Sequence, residues 1–154
     1  MIQRIQTIYL LMVMLLMAVL CFLPLFDFTG SDQLISTFST MGIESSQAES
    51  HTWGVLTIAA LAAIVPLINI FLFKKRKLQI KLCHLTTFLI IFFYVTVAAY
   101  LYAYTNKNGI DIFTIGIQPH IALTMPLIAL IFNLLSIKRI KKDEKLIRSL
   151  DRIR

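Results

Sequence analysis

Lys74-Lys75-Arg76-Lys77 lies at the midpoint of the chain, between two long apolar runs. This short and densely charged stretch divides the sequence into two halves of similar plan. Basic loops beside membrane spans stay on the cytoplasmic side. The four residues are therefore predicted to fix the orientation of the protein in a membrane, and Lys138 and Arg139, which follow the last apolar run, are predicted to do the same.

The composition decides between a soluble and a membrane protein. A chain of 154 residues has the length of one soluble domain, but 58% of its residues are hydrophobic and only 15% are charged. Typical globular domains contain about 25% charged residues. A single small core cannot hide so much apolar surface, and the surplus must face lipid. The sequence predicts one integral membrane domain that covers residues 1–154.

Four apolar runs are long enough to be membrane spans. They are residues 5–26, 53–73, 82–104 and 119–137. The first run exceeds the roughly 7–15 apolar residues of a signal peptide, so it is predicted to be a retained span. Pro119 suits the first turn of the fourth span, where its missing N–H would be unpaired anyway. The predicted fold class is an all-α integral membrane protein with four transmembrane helices in an antiparallel bundle.

The distribution of positive charge predicts the topology. All but one of the 15 Lys and Arg residues lie at the N-terminus, in the central loop or in the tail after residue 137, and Lys107 is the exception. Both termini are therefore expected in the cytoplasm of a bacterium, with the protein in the inner membrane. The net charge of +7 does not indicate nucleic-acid binding, because the basic residues flank the apolar runs instead of alternating with aromatic residues.

Two loops on the outer side carry strand signals. Residues 34–41 alternate loosely between apolar and polar side chains. Residues 110–117 alternate more clearly and follow Asn108-Gly109, a strong turn signal. The two segments are predicted to pair with each other in a small β cap over the outer end of the helices.

The C-terminal tail, residues 138–154, has strong helix formers and no Gly or Pro. Ile140, Ile147 and Leu150 fall near one face of such a helix. The tail is predicted to continue the fourth span as a cytoplasmic amphipathic helix. Its apolar stripe is expected to dock on another membrane or cytoplasmic protein, or to lie on the surface of the bilayer.

The most polar side chains within the spans are Asn69 and Asn133. Each lies in a span that also contains a proline, Pro66 or Pro126. The simpler interpretation is a hydrogen bond between helices, worth about 0.6–2 kcal/mol. The alternative interpretation is a polar contact for a bound lipid or quinone. The spans lack Asp, Glu, Lys and Arg near their centres, which argues against a proton-coupled transporter.

Cofactor and redox sites receive little support from the sequence. His51 and His120 lie at outer span ends and could approach each other, but a haem or metal site is the weaker interpretation, and no cofactor or metal is expected. Cys21 and Cys83 fall near opposite faces of the membrane, across a hydrocarbon core of about 30 Å. That separation excludes a disulfide between them.

The two ends of the chain resemble a known family. The opening MIQRIQTIYLL (residues 1–11) and the ending KKDEKLIRS (residues 141–149) are similar to a family of four-span inner-membrane proteins of Bacteroidetes that is classed as a domain of unknown function. The resemblance extends over the whole chain. It implies the location and the topology, and it implies no activity, substrate or site.

The sequence supports two functions of different classes. The absence of an evident nucleophile, carboxylate pair or metal-binding cluster favours a non-catalytic accessory or scaffold component of the membrane over an enzyme. The alternative is a small lipid- or quinone-binding carrier that uses a groove between the proline-kinked second and fourth spans. The lipid bilayer is the partner that either function requires.

Overall fold

The computed structural model describes residues 3–29, 35–44, 50–72, 75–108 and 116–151. The helices are α1 (Gln3–Leu20), α2 (Trp53–Phe71), α3 (Arg76–Lys107) and α4 (Met125–Asp151), and a 3-10 helix (Ile121–Thr124) precedes α4. The strands are β1 (Pro24–Thr29), β2 (Ile35–Ser39), β3 (Gly42–Glu44), β4 (Ser50–His51) and β5 (Gly116–Pro119). The protein is mostly helical and carries one small β-sheet.

Among the described residues, three helical segments are long and apolar enough to cross a membrane: Trp53–Phe71, Arg76–Lys107 and Ile121–Leu146. At about 1.5 Å per residue, α2 reaches about 29 Å, close to the thickness of a bilayer core. Only about a third of each apolar window is buried inside the protein, so most of these side chains need an apolar environment outside it. The chain is therefore a membrane protein.

The predicted first span, residues 5–26, is wrong at its outer end. The apolar part of α1 is Ile5–Leu20, about 24 Å long. Pro24 then opens β1, in a position where a strand tolerates the missing N–H of proline. The residues after Pro24 form ladders with β2 on one side and with β5 on the other. These two ladders give hydrogen-bond partners to backbone N–H and C=O groups, some of which would be unpaired if the residues formed the end of a helix.

The predicted start of the fourth span is also wrong. Pro119 is the last residue of β5 and not part of a helix. The 3-10 helix follows, and α4 begins only at Met125. Pro126 is thus the second residue of α4, where the absent proline N–H breaks no helical hydrogen bond. The third span starts earlier than predicted, since α3 begins at Arg76 instead of residue 82.

The strands form one antiparallel sheet in the order β4-β3-β2-β1-β5. The prediction that both outer loops contribute to a β cap is confirmed. The predicted direct pairing with residues 34–41 is wrong for Gly116 and Ile117, which pair with β1 because β1 lies between β2 and β5. Residue 34 and residues 110–115 lie outside the described residues.

Aromatic side chains join the sheet to the helices. Phe26 and Phe38 stack with 4.9 Å between ring centroids, and Phe28 meets Tyr104 of α3 edge to face at 5.6 Å. Burying each large apolar side chain contributes about 1.5–3 kcal/mol. Thr52, at the start of α2, donates its hydroxyl to the carbonyls of Ser39 and Thr40 in the β2–β3 turn. The sheet is therefore packed and hydrogen-bonded onto the ends of the helices.

The contacts among the helices follow a simple pattern. α1 packs against α2 and α4, and α3 also packs against α2 and α4. α2 and α4 consequently lie diagonally across from each other. The interior is filled by buried side chains at helical spacing, many of them small: Val13, Met17, Val55, Ala59, Ala62, Ile90, Phe93, Val97 and Ala129.

Candidate functional site at the basic end of the helices

The start of α1, the end of α2, the start of α3 and the second half of α4 come together at one end of the protein. We call it the basic end, and we call the opposite end, which carries the β-sheet, the sheet end. The predicted topology residues lie here: Lys75, Lys77, Lys138 and Arg139 are exposed, and Arg76 is half-buried. Lys74 lies outside the described residues. Their clustering agrees with a topological role, and the orientation itself stays a prediction.

Asn69 joins the end of α2 to the start of α3. Its Nδ2 donates to the Gln79 carbonyl oxygen at 3.2 Å and to the Cys83 sulfur at 3.1 Å. In return, Gln79 Nε2 donates to the backbone oxygen of Asn69 at 3.2 Å. That carbonyl belongs to the last turn of α2 and also accepts from the backbone N–H of Leu72 at 3.2 Å. The reciprocal pair therefore holds the end of α2 against the start of α3.

Asn133 makes the matching connection from α4. Its Nδ2 donates to the Cys83 carbonyl oxygen at 2.8 Å and to Thr87 Oγ1 at 2.9 Å. Ser136 lies one turn further along α4, beside the Cys83 thiol. Cys83 is fully buried. Its sulfur accepts a hydrogen bond from Asn69 of α2, and its backbone carbonyl oxygen accepts one from Asn133 of α4. We call Asn69, Gln79, Cys83, Thr87, Asn133 and Ser136 the polar cluster.

The polar cluster leaves some oxygen atoms unpaired. Among the described residues, no hydrogen-bond partner is found for Asn69 Oδ1 or Asn133 Oδ1, and both are buried. Each such atom costs about 1–3 kcal/mol. The amides cannot be turned around, because the carbonyls of Gln79 and Cys83 only accept and require the NH₂ group. The cluster thus fixes the relative positions of the helices at some cost in stability.

A second polar connection links α1, α3 and α4. Gln6 Nε2 donates to the carboxylate of Asp143, and both side chains are 8% exposed. Arg76 Nη1 donates to the backbone oxygen of Asp143 at 3.2 Å. A buried carboxylate needs such donors, since an unpaired one would be costly. These contacts hold the tail portion of α4 against the rest of the protein.

The predicted amphipathic tail is part of α4, which continues without interruption to Asp151. The expectation that Ile140 docks on a partner needs correction. Ile140 is fully buried in a cluster with Leu10, Cys83 and Ile137 of this chain, and it is not accessible to another molecule. The side chains of Ile147 and Leu150 lie outside the described part of the structure, and their docking role stays a prediction.

The structure separates the two interpretations of Asn69 and Asn133. Both side chains are 0% exposed, and both donate to α3. They therefore make the predicted hydrogen bonds between helices. The groove that the carrier alternative requires between the second and fourth spans does not match the described contacts, because α2 and α4 are diagonal and are bridged by α1 and α3.

His51 and His120 lie apart at the sheet end. His51 belongs to β4 at one edge of the sheet, and His120 follows β5 at the other edge. The approach of the two side chains that a haem or metal site would need is therefore not seen. His120 Nε2 lies 3.1 Å from Asp27 Oδ2, and the backbone N–H of His120 donates to the Leu25 oxygen at 3.0 Å. Within the described residues, no group of three His, Cys, Asp or Glu side chains is arranged to hold a metal ion.

Sequence analysis missed Gln6, Gln79, Ser136 and Asp143 as buried polar residues. A signal was present in the spacing. In α3 the buried positions Gln79, Cys83, Thr86, Ile90, Phe93 and Val97 recur every three or four residues. In α4 the buried positions Ala129, Asn133, Ser136, Ile137, Ile140 and Asp143 recur in the same way. A polar residue in register with the small and apolar stripe of a helix faces the interior.

Comparison with known families matches nearly the whole chain to a protein family. Residues 2–153 match a family described as "Domain of unknown function (DUF4293)". No match was found among curated proteins. The match spans nearly the whole chain and confirms the resemblance found at its two ends. The four-span arrangement and the Bacteroidetes origin implied by that resemblance stay expectations.

Proposed function

We propose that this chain, which belongs to the DUF4293 family of domains of unknown function, is a non-catalytic accessory or scaffold component of the bacterial inner membrane. In this proposal four transmembrane helices form an antiparallel bundle, both termini are cytoplasmic, and the β-sheet lies at the periplasmic surface. The proposal has two parts, the membrane topology and the scaffold role, and each is supported by different contacts.

The case for a fourth span rests on α1. Its apolar segment Ile5–Leu20 is shorter than the other three, but it packs against both α2 and α4. It therefore lies in the same layer as two helices of spanning length. Its outward side chains Ile5, Ile8, Leu11, Leu15 and Val19 are 41–57% exposed and recur every three or four residues. Such a stripe on the outside of a membrane protein suits contact with lipid.

The sheet supports the same arrangement. Backbone groups at a sheet edge cannot be left against hydrocarbon, so the sheet end belongs at the level of the headgroups or beyond. Trp53, at the start of α2, is 66% exposed, and tryptophan favours the interface between membrane and water. With the sheet outside, the basic end faces the cytoplasm, as the distribution of positive charge predicts.

One observation carries the scaffold role: the buried polar side chains at the basic end bond to neighbouring helices of the same chain. Asn69 and Asn133 both donate to α3, and Gln6 donates to Asp143. Polar groups used in this way hold a fixed arrangement of helices. The Cys83 thiol is fully buried, whereas reactive cysteines are partly exposed. A fixed arrangement of helices, extended by the C-terminal part of α4, suits a protein that holds other proteins in position.

Co-purification tests the scaffold role. The full chain is extracted in a mild detergent, and its bound proteins, lipids and quinones are identified by mass spectrometry. We expect a protein partner in a stoichiometric amount that also retrieves this chain when the partner itself is tagged. A stoichiometric quinone or other lipophile without any protein partner would contradict the scaffold role and support the carrier.

The tail offers a matched pair of variants for the same experiment. Ile147→Ser with Leu150→Ser changes the predicted docking stripe, and Leu146→Ser with Ile153→Ser removes two apolar side chains at its edge. We expect the first variant to lose the partner and the second to retain it, with equal insertion in the membrane. If both variants retain every partner of the wild type, the tail is only a topological anchor.

A further inference from the structure

A groove of about 310 Å³ lies between α1 and α4 at the basic end. Its lining residues are Tyr9, Leu135, Lys138, Arg139 and Lys142. We call it the α1–α4 groove. The lining contains three cations and no carboxylate. The groove is separate from the polar cluster, whose side chains are bonded to the interior of the protein.

The helical repeat explains how the groove forms. Leu135, Lys138, Arg139 and Lys142 are spaced three, four and seven residues from the first, so they share one face of α4. Ser136, Ile140 and Asp143 lie on another face and are buried. Across the groove, the Tyr9 ring of α1 stacks on Phe132 of α4 with 6.1 Å between centroids and 27° between ring planes. One wall of the groove is therefore aromatic and apolar, and the other is cationic.

The position of the groove along α4 matches the level of lipid headgroups. The apolar part of α4 ends at Ile137, and Lys138 begins the charged part. Leu135 therefore lies at the depth of acyl chains, and Lys142 lies about 10 Å beyond it along the axis. The polar region of one leaflet is about 5–8 Å thick. A single groove thus extends from the hydrocarbon to the cytoplasmic surface.

The lining of the groove has no acidic side chain to balance its three cations. Lys138 and Lys142 are like charges one turn apart, an arrangement that destabilises an isolated helix. Asp143, the next acidic residue of α4, is buried and bonded to Gln6. An anion between the two lysines would remove their repulsion. Arginine adds a planar fork of N–H donors that fits the oxygens of a phosphate group.

We propose that the α1–α4 groove binds the phosphate headgroup of an anionic phospholipid. Lys138, Arg139 and Lys142 hold the phosphate, while Tyr9 and Leu135 contact the glycerol and the first part of the acyl chains. The proposal depends on insertion of the protein in a membrane and not on the scaffold role. The lipid is a fixed component that joins α1 to α4, and not a transported substrate.

Native mass spectrometry of the full chain in detergent tests this site. The protein is titrated with dioleoylphosphatidylglycerol, with dioleoylphosphatidylcholine as the zwitterionic lipid and with glycerol 3-phosphate as the headgroup alone. We expect the anionic lipid to bind with a stoichiometry of one and more tightly than the zwitterionic lipid. Each cation near an anionic lipid changes affinity about five-fold, so loss of two should weaken binding roughly thirty-fold.

Two variants with equal charge make the test specific. Lys138→Gln with Lys142→Gln changes the groove, and Lys141→Gln with Lys145→Gln removes two exposed cations elsewhere on α4. Only the first should lose the anionic lipid, and Lys138→Arg with Lys142→Arg should keep it. Equal losses in both glutamine variants would reduce the effect to general surface charge and overturn the site. Equal binding of the two lipids would overturn it as well. Competition by glycerol 3-phosphate at the lipid's own concentration would assign the groove to a soluble phosphate instead.

Discussion

Replacing Asn133 tests the physical basis of the polar cluster. Asn133→Ala removes the hydrogen bonds from Nδ2 to the Cys83 carbonyl oxygen and to Thr87 Oγ1, at 2.8 and 2.9 Å. Hydrogen bonds between membrane helices average about 0.6 kcal/mol each, so their loss costs about 1.2 kcal/mol. The cavity left by the amide group, roughly 40 Å³, adds about 1 kcal/mol. Removal of the unpaired Oδ1 returns about 1 kcal/mol. We expect a net destabilisation of about 1 kcal/mol.

Asn133→Asp should have a much larger effect, although the side chain keeps its shape. A carboxylate cannot donate, and it would face the Cys83 carbonyl oxygen in a fully buried position. A buried charge without a partner costs about 3–5 kcal/mol when a pair is broken. The expected order of stability is therefore wild type, alanine variant, aspartate variant. The aspartate variant should be the least stable by at least about 2 kcal/mol.

The assay is unfolding of the detergent-purified protein by increasing mole fractions of sodium dodecyl sulfate, followed by far-UV circular dichroism. Asn106→Ala serves as the control, because Asn106 is exposed near the other end of α3. The control should change stability by less than about 0.5 kcal/mol. If both Asn133 variants unfold at the same point as the control, the polar cluster does not fix the helices, and the reasoning is refuted.

Two further predictions concern other parts of the fold. Phe38→Ala should destabilise the protein by about 3–5 kcal/mol, because its ring is fully buried and stacked on Phe26. The control Ile35→Ala, at a 68% exposed position of the same strand, should change stability by less than about 0.5 kcal/mol. Equal effects of the two variants in the same unfolding assay would contradict the packing of the sheet. A double-mutant cycle of Gln6→Ala and Asp143→Ala should give a coupling of about 1.5–3 kcal/mol, the range for hydrogen bonds to charged groups. The matched cycle of Gln6→Ala with exposed Lys141→Ala should give none, and an equal coupling in both cycles would show that α1 and the tail are not joined by this contact.

The features that follow from composition and periodicity could be predicted from the sequence. The apolar runs around Trp53–Phe71 and within Arg76–Lys107 gave helices of spanning length, and the tail gave a continuous helix to Asp151. Asn69 and Asn133 were identified as contacts between helices because an amide in an apolar span has few other stable partners. These predictions needed only the properties of one segment at a time.

The wrong predictions concern residues whose position depends on contacts with other segments of the chain. β1 is apolar and continuous with α1 in the sequence, so it appeared to extend the first span, yet β2 and β5 draw it into a sheet. Ile140 appeared to belong to an exposed stripe, but Leu10 and Cys83 cover it. Asp143 is buried on α4 because Gln6, 137 residues away in the sequence, donates to it. Tertiary contacts between separate segments decide these positions, and local patterns do not contain them.

The measurement that tests the central claim most directly is the topology in the living bacterium. Alkaline phosphatase, which is active only outside the cytoplasm, and a fluorescent protein, which reports the cytoplasm, are fused in turn after Arg154 and between Ser45 and Ser46. Four spans with the basic end inside predict fluorescence from the fusion after Arg154 and phosphatase activity from the fusion at Ser45. Phosphatase activity from the fusion after Arg154 would contradict the proposed orientation, and fluorescence from both positions would show that α2, α3 and α4 do not all cross the membrane.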